Sequence, residues 1–218
     1  MRAAVMVTFV TAGALFPKVS AAQRAAEQQL TLRIHDYAHV GSGVLVRAQR
    51  RVSDSYRSIG VRTAWAATLH HFSDMEGTTA CGVTEDLTII VMSARMAERS
   101  RLPKDVVGRA AVGPGGGGRV AYIMYDRVAA SAIQADWDVG DFMAVVVAHE
   151  VGHLLLPIGS HSPDGLMRGH WDVNDLRQTD PRALAFTAGQ AELIRDTLGI
   201  VTLPAASTAF SRLHPRVD

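Results

Sequence analysis

The segment 148–171, AHEVGHLLLPIGSHSPDGLMRGHW, contains the residue types needed for hydrolytic chemistry. Residues 149–153 form the pattern H-E-x-x-H. Residues four apart lie on one face of a helix, so the imidazoles of His149 and His153 can converge on one metal ion. Glu150 can then reach a water at that metal and act as general base. The pattern therefore predicts a metal-dependent hydrolytic site.

A third ligand is expected downstream, because catalytic zinc takes three protein ligands and keeps a fourth position for water. His161 lies eight residues after His153 and six before Met167. Asp164 is close enough in sequence to compete for the same position. Imidazole is a common zinc ligand, whereas an aspartate in a Pro-Asp-Gly turn often bonds its own backbone. His161 is therefore preferred as third ligand, and Asp164 is the alternative or a residue that orients a ligating imidazole.

These residues resemble the motif of the metzincin clan of zinc metallopeptidases, H-E-x-x-H-x-x-G-x-x-H followed by a methionine turn beneath the metal. His149, Glu150 and His153 match the motif directly. The resemblance implies that His161 is the third Zn²⁺ ligand and that Met167 is the turn methionine, a structural floor rather than a ligand. It also implies a peptide or protein substrate, cleaved by a zinc-activated water with Glu150 as general base.

The sequence departs from the metzincin pattern at three positions. Leu156 stands where the family has glycine, and Gly159 stands where it has the third histidine, so the loop to His161 is two residues longer. Gly169 stands where many relatives have a tyrosine. Two other functions stay open, a zinc-dependent hydrolase of non-peptide amides and a catalytically degenerate secreted binding protein. Glu150 favours a hydrolase, because a structural zinc site needs no base and usually has a fourth ligand.

Composition and the chain ends indicate a secreted single-domain protein. The 218 residues are 48% apolar with a formal net charge of +1, which gives no indication of nucleic-acid binding. Residues 1–21 read as a signal peptide that leaves Ala22 as the mature N-terminus, so the protein would be extracellular or periplasmic without a membrane span. A peptidase domain is expected over 22–202 and a tail over 203–218. Cys81 is the only cysteine, which excludes an intramolecular disulfide.

Around the motif, hydrophobic periodicity predicts strands and helices along one chain, and the resemblance to metzincins implies an α/β (α+β) fold of that type. We expect a twisted mixed β-sheet with a backing helix, an active-site helix and a C-terminal helix. Strands are expected at 30–37, 61–69, 86–93, 106–112 and 120–125. The backing helix is expected over 41–60, with Ser42 as its N-cap. The active-site helix is expected to start at a cap at Asp141. The C-terminal helix is expected to start at the capping box of Thr187 and Gln190 and to end near Leu198.

Overall fold

The computed structural model describes residues 29–66, 86–114 and 116–200. The expected signal peptide and C-terminal tail, Cys81 and the last three residues of the strand predicted for 61–69 lie outside these residues. The domain boundaries stay a prediction. In the part of the chain that is described, no helix has both the length and the apolar character needed to cross a membrane.

Five strands form one mixed sheet, which confirms the predicted fold class. Their order across the sheet is β2-β1-β3-β5-β4, and β4 at one edge is the only antiparallel member among the described strands. The central strand, β3, alternates buried apolar side chains with half-buried ones over most of its length. The strands are β1 (Gln29–Asp36), β2 (Arg62–Ala66), β3 (Asp86–Met92), β4 (Gly108–Ala111) and β5 (Val120–Met124).

The described residues form six helices, three of which (α2, α3 and α5 below) the sequence analysis did not predict. Helix α3 begins at Tyr125, directly after β5, so the strand predicted to reach Tyr125 ends one residue earlier. Its alanine-rich sequence favours a helix. Helix α5 lies in the stretch that follows Trp171 and is capped by Asp172 and Asp175. The helices are α1 (Ser42–Ser58), α2 (Ala94–Arg99), α3 (Tyr125–Ala135), α4 (Val139–Leu155), α5 (Val173–Gln178) and α6 (Ala188–Thr197).

Helix α4 contains the H-E-x-x-H pattern and begins earlier than predicted. The predicted cap, Asp141, is wrong, because the carboxylate of Asp138 accepts hydrogen bonds from the backbone N–H groups of Gly140 (2.8 Å) and Asp141 (3.1 Å). Asp141 lies in the first turn, where its side chain faces Arg51 of α1. Most of α4 is buried, because its sequence is apolar on nearly all sides.

The first and last described helices, α1 and α6, begin at different kinds of cap. Ser42 is the first helical residue of α1 rather than its cap, and Gly41 occupies the N-cap position. The capping box of Thr187 and Gln190 is confirmed at the start of α6. Helix α6 ends at Thr197, and Gly199 follows with a φ of +66°.

Helix α4 is positioned by contacts on several sides. It packs against α1, α3 and α6 and against the two strands β4 and β5. The hydroxyl of the fully buried Tyr56 on α1 donates a hydrogen bond to the carbonyl of Ala148 on α4 (3.1 Å). The residue before His149 is therefore fixed to the core, and β4 packs against the same helix.

Candidate metal centre

Three imidazoles converge at the C-terminal end of α4. His149 and His153 lie one turn apart on this helix, and His161 comes from the loop that follows it. The Nε2 atom of His153 lies 3.0 Å from Nε2 of His149 and 3.0 Å from Nε2 of His161. Nitrogens held about 2.0–2.1 Å from one tetrahedral zinc ion are about 3.3 Å apart. This histidine cluster, formed by His149, His153 and His161, therefore fits a single ion of that size.

The protonation of the two helical histidines also suits a cation. Nδ1 of His149 lies 2.9 Å from the carbonyl oxygen of Leu166, which can only accept, so Nδ1 carries the proton and Nε2 has a free lone pair. Burial lowers the pKa of His149. Burial and the neighbouring imidazoles lower the pKa of His153 to about 4. Both rings are therefore neutral near pH 7, which is the form that binds metal.

A short turn brings His161 back towards α4. Gly159 allows the reversal with a φ of +81°. The backbone N–H of Ser162 donates to the carbonyl of Met167 (3.0 Å), which closes the loop just after His161. A side chain at Gly169 would place its Cβ 2.9 Å from Nδ1 of His161. The imidazole thus lies against the position where many metzincins have a tyrosine.

Met167 forms the floor of the centre and is fully buried. A Cβ at Gly152, between the two helical histidines, would lie 2.6 Å from the Met167 sulfur and 3.2 Å from the ring of Phe186. Phe186 in turn packs on Tyr56, with ring centroids 5.2 Å apart. The glycine in the motif therefore gives the methionine the space to lie directly beneath the helix.

Glu150 is buried beside the edge strand β4. Its side chain is 7% exposed, and this burial raises the pKa of the carboxyl to about 7, while a hydrogen bond from the backbone of Ala110 acts in the opposite direction. A Cβ at Gly108 would lie 2.5 Å from Oε1 of Glu150. A carboxyl with a pKa near neutrality can both accept and release a proton, as a general base must.

The histidine cluster and Glu150 line a cleft of about 610 Å³. Strand β4 forms one side of this cleft. Arg168, at the end of the methionine turn, lies 4.7 Å from the ring centroid of Trp171 and pairs with Asp175 on α5 (2.7 Å). Next to the histidines, the cleft has an apolar wall formed by Val106, Phe142, Val145, Val146, Trp171 and Leu176.

The structure brings together all four residues that the sequence analysis placed in the site, namely His149, Glu150, His153 and His161. Within the described part of the chain, the cluster of ligand atoms does not include Asp164. The backbone carbonyl of Asp164 instead accepts a hydrogen bond from the Ser162 hydroxyl (2.7 Å).

Sequence reasoning missed three residues that touch the site. Gly108 and Ala110 of β4 contact Glu150, and nothing in the short strand sequence Gly-Arg-Ala-Ala indicates that role. Gln190 donates hydrogen bonds to both neighbours of His161. Its capping-box pattern predicted the helix start but not this second set of contacts.

Comparisons with known proteins find similarity at the level of the fold. No protein-family model matches the sequence, and no curated protein matches it either. The fold is similar to the crystal structure of an archaemetzincin from Methanopyrus kandleri, at 16% sequence identity and a TM-score of 0.47. The match covers 79% of this chain and 97% of that one. A similarity at this level carries no inference about activity, which must be argued from the site itself.

Proposed function

We propose that this protein is a zinc-dependent metalloendopeptidase of metzincin type. One observation carries the proposal: one ring nitrogen from each of three imidazoles lies within 4.8 Å of the other two, in the same cleft as a buried glutamate. Three imidazole nitrogen ligands and a nearby carboxylate base are the set that a catalytic zinc site requires. A purely structural site would close with a fourth protein ligand, and the described residues bring no fourth one into the cluster.

His149, His153 and His161 would hold the zinc through their Nε2 atoms. When bound, zinc acts as a Lewis acid that polarises a carbonyl and makes water more acidic. Glu150 accepts the proton of the attacking water on its carboxylate and then donates it to the leaving amine. The carbonyl of Leu166 keeps the proton of His149 on Nδ1, so that Nε2 faces the cleft.

The edge strand supports a peptide as substrate. In an antiparallel pair, every second residue points its backbone groups away from the partner strand. The hydrogen bond from the N–H of Met124 to the carbonyl of Val107 fixes this alternation, so that Gly108 and Ala110 point theirs outward from β5. Backbone pairing along a strand edge is a general way to hold an extended chain. We infer that the substrate lies along β4, next to Glu150.

The test is cleavage of a mixed protein digest by the purified protein, with and without chelator, followed by mass spectrometry. The parent should generate new peptide termini, and chelator should abolish them. Glu150→Gln should cleave about 10²–10⁴-fold more slowly than the parent. It should keep the fold and the zinc, because no ligand is removed. Glu98→Gln makes the same acid-to-amide change at an exposed residue of α2 and should behave as the parent.

Three results would overturn parts of this proposal. Cleavage at the parent's rate by Glu150→Gln would remove Glu150 as the base. Zinc binding without any peptide cleavage, but with hydrolysis of small amides, would favour the non-peptide amide hydrolase. Zinc binding with neither reaction would favour the degenerate binding protein.

A further inference from the structure

Gln190 connects the C-terminal helix to the loop that carries His161. Its side chain is 8% exposed, so its polar atoms need partners within the protein. Oε1 accepts the backbone N–H of Thr187 (2.9 Å), which completes the capping box of α6. Nε2 donates to the carbonyl of Ser160 (3.0 Å) and to the hydroxyl of Ser162 (3.2 Å). One amide therefore bonds the residues immediately before and after His161.

His161 depends on its backbone more than the two helical histidines do. Its side chain is exposed. Among the described residues, its Nδ1 has no protein hydrogen-bond partner, whereas Nδ1 of His149 bonds the carbonyl of Leu166. A histidine ligand usually has such a partner, which fixes the ring. The orientation of the His161 ring must therefore come from the position of its loop, since no hydrogen bond at Nδ1 fixes it.

The loop itself has few attachments. In the described part of the chain, Gln190 is the only residue whose side chain donates a hydrogen bond to the backbone of 157–161. After His161, the loop is held by the bond from the Ser162 N–H to the Met167 carbonyl. Before His161, the contact with Gln190 takes this part, and the hydroxyl of Ser160 lies 3.5 Å from Nδ1 of His153. Loss of the amide donor would leave the first half of the loop free to move.

We propose that Gln190 is a positioning residue, which holds the His161 loop so that Nε2 of His161 meets the other two ligand nitrogens. The proposal rests on the proposed function, since it takes the histidine cluster to be the zinc site. Gln190 itself touches neither the metal position nor the reacting atoms. It acts through the backbone on either side of His161.

Two substitutions at Gln190 test whether the hydrogen bonds donated by its amide, rather than its size or charge, hold the loop. Gln190→Glu keeps an oxygen for the N–H of Thr187 and so keeps the helix cap, but it removes the donor and turns a carboxylate towards the Ser160 carbonyl. Gln190→Met removes the donor without adding charge. Thr187→Ala is the matched control, because it removes the hydroxyl that caps α6 and leaves the amide of Gln190 in place.

The measurements are zinc affinity, by competition with a chromophoric chelator, and the visible absorption spectrum of the cobalt-loaded protein. Both Gln190 variants should bind zinc about 10–100-fold more weakly, the usual loss when a group that orients a ligand is removed. Their cobalt spectra should change, because the third nitrogen no longer holds its position. Thr187→Ala should keep the parent's affinity and spectrum although its Tm falls.

Amide hydrogen exchange in the metal-free protein gives a second readout that does not depend on zinc. Exchange over residues 158–168 should be faster in both Gln190 variants than in the parent and in Thr187→Ala. Parent-like affinity in the Gln190 variants, or an equal loss in Thr187→Ala, would overturn the proposal. A parent that binds no zinc would instead overturn the proposed function and with it the metal-directed role, while unchanged exchange would show that Gln190 does not hold the loop.

Discussion

His149 is oriented by a residue far from its own helix. The carbonyl of Leu166 accepts the Nδ1 proton of His149 (2.9 Å), and the next residue, Met167, forms the floor of the centre. The methionine turn therefore has two effects on one ligand, since it fixes the ring from the side and supports it from below. Groups that orient a metal-binding histidine in this way strongly affect metal affinity.

The third ligand can be tested by a pair of alanine substitutions. His161→Ala should lose most of its zinc, because it removes one of three converging nitrogens. Asp164→Ala should keep its zinc, since the carbonyl that bonds Ser162 belongs to the backbone and survives the change. Zinc stoichiometry and affinity, measured for both variants beside the parent, decide the matter. The reverse ordering would move the third ligand to Asp164.

For individual residues, the sequence predicts most of those that converge at the candidate site. The spacing of His149 and His153 is local, so helix geometry alone predicts their convergence. The preference for His161 over Asp164 came from ligand chemistry, and the geometry of the cluster agrees with it. The contact of Gln190 with Ser160 spans 30 residues and two elements, and no local pattern records such a contact.

Among the elements, the short edge strand β4 bears most directly on catalysis. It bonds β5 on one side and lies against Glu150 on the other. Gly108 leaves space for the carboxylate, and the backbone of Ala110 bonds it. The edge strand β4 thus places the proposed base and the proposed substrate on the same side of the sheet.

Gly108→Ala should therefore reduce activity without loss of zinc. The new Cβ would lie 2.5 Å from Oε1 of Glu150 and would displace the end of this side chain. A misplacement of about 1 Å can cost about 10²-fold in rate, whereas no ligand and little core packing is lost. The measurements are kcat and zinc content.

Gly113→Ala is the control for this change, because a Cβ there meets no atom closer than 3.9 Å. It lies just beyond the same strand and should leave both quantities unchanged. Full activity in Gly108→Ala would show that the carboxylate tolerates the displacement and that β4 does not fix the base.

Element types were more predictable than element order and element ends. Alternating or continuous apolar runs identified all five strands of the described sheet. The position of β4 beyond β5 depends on pairing between segments distant in sequence, which periodicity does not encode. Asp138 and Asp141 are three residues apart at the start of α4. Both are aspartates, a residue type that commonly caps helices. Only the geometry of the preceding turn decides between them.

At the scale of the whole molecule, α4 links the candidate centre to the core. The helix contributes two of the three imidazoles, and its other faces pack against α1, α3, α6 and the sheet. Metal at the end of such a helix cannot be released without consequence for the packed interior. Metal binding and global stability should therefore change together.

The expected signal peptide over 1–21 stays a prediction.

Zinc should raise the Tm of the metal-free protein in a concentration-dependent way. A ligand at about 100 times its Kd stabilises the native state by about 2.7 kcal/mol, which corresponds to about 5–10 °C for a domain of this size. Chelator should reverse the shift, and magnesium, which prefers oxygen ligands, should not reproduce it. A Tm that is independent of zinc would contradict binding at the histidine cluster.

The tight contact between Met167 and Gly152 has a consequence for oxidative damage. Oxidation of methionine adds an oxygen to the sulfur, and Met167 is fully buried with its sulfur close to Gly152 of the helix. Dilute peroxide should therefore oxidise the half-exposed Met96 well before Met167. Peptide mapping by mass spectrometry measures both rates, and equal rates would contradict a closed floor. A sulfoxide at Met167 would then record that the floor of the site had opened, even after the protein had closed again.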